Sequence, residues 1–231
     1  WDDGYINTYF TVKSPDGRWT DMNFHEMYCI GHMIEAAIAY FESTGKRTLL
    51  EVSIRAADYI YENIYLKNIH WIPGHQEIEL ALIKLYFLTK DEKYHKLALY
   101  LVEQRGKGYP FLDVINKCID GMGGRKYNQD DKPAEELSEI SGHAVRAMYY
   151  YSAITELAAL DNNADFEAAM DRVYSSMLRN MYITGGIGQS NKNEGFTDDY
   201  DLPNKSYCET CAAVGVVFWA SRMNRLKGLS E

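Results

Sequence analysis

The chain has 231 residues, 46% of them hydrophobic, with a formal net charge of −9 and a pI of about 5.2. That much apolar material supports a packed core and excludes wholesale disorder, and such acidity disfavours nucleic acid or an anionic membrane as a partner. No apolar run approaches the ~20 residues that span a bilayer, and four cysteines are too sparse for a disulfide scaffold.

The periodicity is helical almost throughout. Leu49, Val52, Ala56 and Tyr59 form one amphipathic stripe, and Ile78, Leu82 and Leu85 the next. Ile140, Ala144, Ala147, Tyr151, Ile154 and Ala158 follow, then Phe166, Met170, Val173, Met177 and Met181. Ala212, Val216, Trp219, Met223 and Leu226 make the last. The helices come in pairs, joined by the short polar turns "STGKR", "TKDEK" and "LDNNAD". Repeated helical hairpins of similar size predict an all-α fold, either an open solenoid or part of an (α/α)6 toroid. The expected domain is one, residues 1–231, with its ring of hairpins incomplete. Residues 105–133 and 184–206 break the rhythm with glycines and polar residues, and loops of that length are usually functional or mobile. The chain opens on Trp1 rather than Met, so it is expected to begin inside a longer protein, with the compartment, cytoplasmic or periplasmic, left open.

His25, His75 and His143 each stand near the start of a hairpin's first helix, and His32 is a fourth candidate. In a toroid such helix starts point to one mouth, where imidazoles would suit sugar hydroxyls. Each is equally readable as a buried or capping histidine. The seven-residue gap from His25 to His32 is not the i, i+4 spacing of a His-Glu-x-x-His zinc protease. The stretch "SYCETC" places Cys208 and Cys211 as a C-x-x-C, but no βαβ pattern accompanies it, which argues against a thioredoxin-like redox pair. Glu209 with Cys211 is a different grouping, a carboxylate and a thiol that could share a zinc if further ligands came from elsewhere. Two buried thiols at a helix start fit the same residues. Glu194, on a glycine-flanked loop, is a candidate general acid, with Asp198, Asp199 and Asp201 competing.

The segments "GYINTYF", "HEMYCIGHMIEAA", "PGHQEIELAL", "SGHAVRAMYY", "YITGGIG", "EGFTDDYDLPN" and "YCETCAAVG" occur in this order. Together they resemble the N-terminal and central part of the catalytic domain of glycoside hydrolase family 127, the β-L-arabinofuranosidase type. The resemblance spans nearly the whole chain. It implies an (α/α)6 toroid and a retaining glycosidase acting on an arabinose-containing plant glycan. It implies that a zinc-bound cysteine thiolate attacks the anomeric carbon and that a glutamate serves as acid/base. Residue by residue, Glu194 matches the acid/base, and Glu209 and Cys211 match two zinc ligands. His25, His75 and His143 match residues that contact the furanose. Cys208 matches no ligand. One departure is large: the family's nucleophile and last zinc ligand form a Cys-Cys pair further downstream, and no such pair occurs in these residues. The 231-residue chain alone is therefore expected to lack turnover, to bind zinc weakly and to self-associate through an uncovered apolar face. A non-catalytic helical-repeat module binding sugar or protein is the alternative reading.

Overall fold

A computed structural model describes residues 3–108 and 124–228. Cys118 and the middle of the first glycine-rich segment lie outside the described residues. Among the described residues there are helices and no strands. They gather into two compact units, residues 3–104, and residues 105–108 with 124–228.

In the first unit the short α1 (Thr8–Val12) precedes two helical hairpins, α2 (Glu26–Thr44) with α3 (Thr48–Ile60) and α4 (Ile78–Thr89) with α5 (Glu92–Glu103). Each turn is set by its residues. Gly45 takes the left-handed conformation (φ 70°) and returns its N–H to the Phe41 carbonyl at 2.7 Å, which stops α2. Lys90 does the same for α4 at φ 60°, and Asp91 then caps α5 by accepting the Lys93 N–H at 3.1 Å. Two kinds of helix alternate. Helix α4 buries Ile78, Leu80, Ala81, Leu82, Ile83 and Leu85, nearly its whole circumference, whereas α3 and α5 each bury one face.

The core face of α3 differs from the predicted stripe. Leu50, Ser53, Ala57 and Ile60 are buried and Ala56 is shared, while Leu49, Val52 and Tyr59 are only half-buried. Tyr59 is drawn aside by aromatic partners, with its ring near those of Tyr5 and Trp19. Glu26 ties this N-terminal arm down, accepting the Tyr5 hydroxyl and, at 3.0 Å, the Trp19 N–H.

The second unit holds the hairpin α6 (Ala144–Asp161) with α7 (Ala164–Arg179), followed by α8 (Thr210–Lys227). Helix α6 is buried on nearly every side and α7 on one. Helix α8 packs on α6 through Gly215, where an added Cβ would lie 2.6 Å from that of Met148, and through the fully buried Trp219. The Trp219 indole donates to Thr155 Oγ1 at 2.9 Å, so the large ring is buried without an unmet N–H. On the outer side of α8, Val214, Val217 and Phe218 stay exposed. Buried Arg105 packs over the Tyr150 ring and donates to the Asn128 carbonyl at 2.7 Å, anchoring the loop that enters the unit. Among the described residues no helix is long and apolar enough to cross a membrane.

Candidate active site

In the second unit, the start of α6 and the loop 188–209 bring together four groups. His143 is the N-cap of α6: its Nδ1 accepts the N–H groups of Val145 at 3.2 Å and Arg146 at 3.4 Å. A nitrogen that accepts cannot carry the proton, so the ring is held in the Nε2–H form. That Nε2 lies 2.8 Å from Glu194 Oε2. Burial, and after it the neighbouring Arg146 guanidinium, push the imidazole below its usual range, against the pull of Glu194 and Glu209. His143 is therefore a neutral donor to the carboxylate.

Glu194 itself sits in the left-handed region at φ 55°, uncommon for a residue with a side chain. Two backbone contacts hold it there. Its carbonyl accepts the Ala144 N–H at 3.0 Å, and Gly195 packs so closely on the Gly142 carbonyl that no Cβ would fit. The second carboxylate oxygen, Oε1, accepts the Tyr207 hydroxyl at 3.2 Å. Tyr207 is exposed and lies just before Glu209, the residue that caps α8. The loop segments are cross-tied, since the Cys208 N–H donates to the Gly188 carbonyl at 3.0 Å.

The Cys211 thiol donates to the Glu209 carboxylate, and this hydrogen bond is the first cause of a thiol pushed above its usual range. Two groups that repel when both are ionised, an exposed thiol and a half-buried carboxylate at a helix start, are the donor types of a zinc site, where a cation's charge would reverse that effect. Among the described residues no third His, Cys, Asp or Glu joins them to make a set of three. The pair fits half of a tetrahedral site. Cys208 and Cys211 are both free thiols and form no disulfide.

In the first unit, the structure brings His25 and His75 together, with ring centroids 6.1 Å apart. His25 occupies the left-handed turn before α2 (φ 58°), its Nδ1 2.5 Å from the Asn23 carbonyl. A carbonyl can only accept, so Nδ1 carries the proton and Nε2 is left as an acceptor. His75 Nδ1 likewise faces the Gln76 carbonyl at 2.8 Å. Tyr28 packs against both rings, 5.6 Å from His25 and 4.5 Å from His75, and against His32 at 4.5 Å. His32 leans on the buried Glu77 carboxylate at 3.4 Å and takes a supporting place. The cavity inside this cluster is about 10 Å³, room for one water, so a sugar would meet the histidines from their outer side.

Asp199 does not compete for the acid role, since it is bound by Arg179 and Asn180, which hold its carboxyl below the usual range. An open polar cleft of about 510 Å³ in the second unit is lined by Ser141, Gly142 and Asn193, the residues flanking His143 and Glu194, rather than by those two. Tyr207 and Tyr28 are the site residues that the sequence did not single out. Tyr207 stood inside "SYCETC", two residues from Glu209, but a hydroxyl that reaches Glu194 only through a loop fold carries no spacing signal.

The hairpins define an all-α domain with a paired carboxylate and imidazole at a helix start, and the comparisons narrow the class. Residues 2–231 match the family model described as the GH127 catalytic domain of β-L-arabinofuranosidase, and the chain belongs to that family. A non-reducing end β-L-arabinofuranosidase of Bifidobacterium longum subsp. longum is 37% identical over 99% of this chain and 37% of its own length. The crystal structure of a GH127 β-L-arabinofuranosidase from Geobacillus stearothermophilus T6 superposes with a TM-score of 0.92 at 43% identity, covering 98% of this chain and 38% of that one. A second solved GH127 β-arabinofuranosidase gives 0.86 at 37% identity over 99% of this chain and 36% of that one. The fold class is accordingly all-α, built from the hairpins of the (α/α)6 toroid. The chain spans a little over a third of the length of these relatives.

Proposed function

We propose that this chain is the acid/base-bearing part of a retaining glycosidase that releases terminal β-L-arabinofuranose, or a related pentose, from plant glycans. The observation that carries the reading is the Glu194 carboxylate, held at one oxygen by neutral His143 and at the other by Tyr207. Glu194 first protonates the departing glycosidic oxygen and later takes a proton from the attacking water, the two duties of one carboxyl in a retaining enzyme. Its partial exposure leaves room for both. His25, His75 and His143 are the proposed contacts to the furanose hydroxyls, with the His25 Nε2 acceptor suited to a sugar O–H.

The nucleophile is a cysteine thiolate that these 231 residues do not supply, so the chain alone is expected to release no arabinose. Glu209 and Cys211 would hold a zinc ion together with that thiolate, and zinc keeps thiols ionised at neutral pH. Support for the substrate comes from the relatives, which are named as β-L-arabinofuranosidases.

The test is stereochemical. The whole protein, as the cell makes it, is given p-nitrophenyl β-L-arabinofuranoside and the first sugar product is followed by proton NMR. Release of arabinose as the β anomer, before mutarotation, is the expected result. Release of the α anomer, or no release, would overturn the reading.

A further inference from the structure

Glu194 has two oxygens, and the surroundings treat them differently. Oε2 faces His143 Nε2 at 2.8 Å. His143 Nδ1 is committed to the Val145 and Arg146 N–H groups, so Nε2 always bears hydrogen and can only donate. A proton on Oε2 directed at that nitrogen would set two hydrogens face to face. With one lone pair of Oε2 committed to that hydrogen in both states, Oε1 is the oxygen placed to carry the acid proton. Among the described residues, the group that meets Oε1 is the Tyr207 hydroxyl, at 3.2 Å. A phenol rotates about its C–O bond and can donate to Oε1 whether that oxygen is bare or protonated.

We propose that Tyr207 is a positioning residue for the acid/base: it holds Oε1 of Glu194 as the proton-carrying oxygen while His143 anchors Oε2. The inference rests on the reading of Glu194 as acid/base. In the first step the Oε1 proton passes to the glycosidic oxygen as the C1–O bond breaks, and the bond's electron pair stays on that oxygen. The thiolate forms the new bond to C1. In the second step Oε1, now bare, takes a proton from water as the water oxygen bonds to C1. The thiolate leaves with its electron pair, and Glu194 is protonated again on Oε1. Tyr207 donates to Oε1 in both states, to the bare oxygen and to the remaining lone pair of the protonated one, so that the Oε1 proton stays aimed at the glycosidic oxygen. His143 keeps its single proton throughout.

Tyr207→Phe in the whole protein tests this. The ring is exposed and is retained in the variant, so folding is not at stake; a thermal melt checks it. Two substrates are compared, an alkyl arabinofuranoside, whose alkoxide needs the proton, and the p-nitrophenyl glycoside, whose phenolate needs it far less. The expected result is a fall of about ten-fold in kcat/KM on the alkyl glycoside and only about two-fold on the nitrophenyl one, with KM little changed on either. Equal losses on both substrates, or a rise in KM alone, would sink the proposal. Glu194→Gln separates this outcome from a failure of the underlying reading. If that variant shows no leaving-group asymmetry, Glu194 is not the acid and the Tyr207 role falls with it; if it shows one and Tyr207→Phe does not, only the Tyr207 role is lost.

Discussion

His143 shows how much one side chain can decide. As the cap of α6 it spends Nδ1 on the helix, and the proton is forced onto the nitrogen that faces Glu194. At the other end of the loop Glu209 is the N-cap residue of α8, its side chain is not spent on the helix, and it pushes the neighbouring Cys211 thiol above its usual range. Cys211 is exposed rather than a core thiol, and its place as a zinc ligand is a proposal that metal content tests. Mass-spectrometric metal analysis of the whole protein is expected to find zinc, and Cys211→Ala is expected to lose most of it. Equal zinc in both would remove Cys211 from the ligand set. At this scale the sequence was partly legible. A histidine before an amphipathic stripe and a carboxylate two residues from a cysteine are visible as patterns. Which nitrogen of His143 bears hydrogen, and which hydroxyl reaches Glu194, depend on backbone paths that no local pattern encodes.

Among the elements, the hairpins were readable because their turns are chemically marked, with Gly45 or Lys90 in the left-handed conformation and Asp91 or Asn163 as the next cap. The core face of α3 lies one residue on from the stripe the sequence predicts, and Tyr59 packs instead against the rings of Tyr5 and Trp19. The segments 105–133 and 184–206 were readable only as interruptions. In their described residues non-local bonds set the backbone path, the Tyr127 carbonyl accepting the His143 N–H at 3.0 Å and the Gly188 carbonyl accepting the Cys208 N–H at 3.0 Å. One of these junctions has a direct consequence. Gly195 lies against the Gly142 carbonyl, between the residues flanking Glu194 and His143. Gly195→Ala must push the loop away from α6, and a displacement of about 1 Å at a reacting group can cost on the order of 100-fold in rate. Steady-state kinetics are expected to show a loss of that order in kcat, with near-UV circular dichroism unchanged. Wild-type kcat would mean that the loop yields without moving Glu194.

For the molecule as a whole, the proposed acid/base, the proposed half of a metal site and the histidines proposed to meet the sugar lie in a chain that covers a little over a third of its relatives' length. The fold class and the family follow from the repeated hairpins and from motifs spread along nearly all of it. The chemistry is not divided evenly. In the proposed double displacement these residues carry the proton transfer, and the thiolate that forms the covalent bond comes from outside them. On that division, removing the Glu194 side chain stops proton delivery and water activation but leaves the nucleophile intact, so a small anion that needs no deprotonation can take the place of water.

The measurement is therefore azide rescue of Glu194→Ala in the whole protein, with p-nitrophenyl β-L-arabinofuranoside as substrate. Slow turnover without azide, restored by it with β-L-arabinofuranosyl azide as the product, is the expected result. Undiminished turnover in Glu194→Ala, or no effect of azide on an inactive variant that still folds and binds the sugar, would contradict the account.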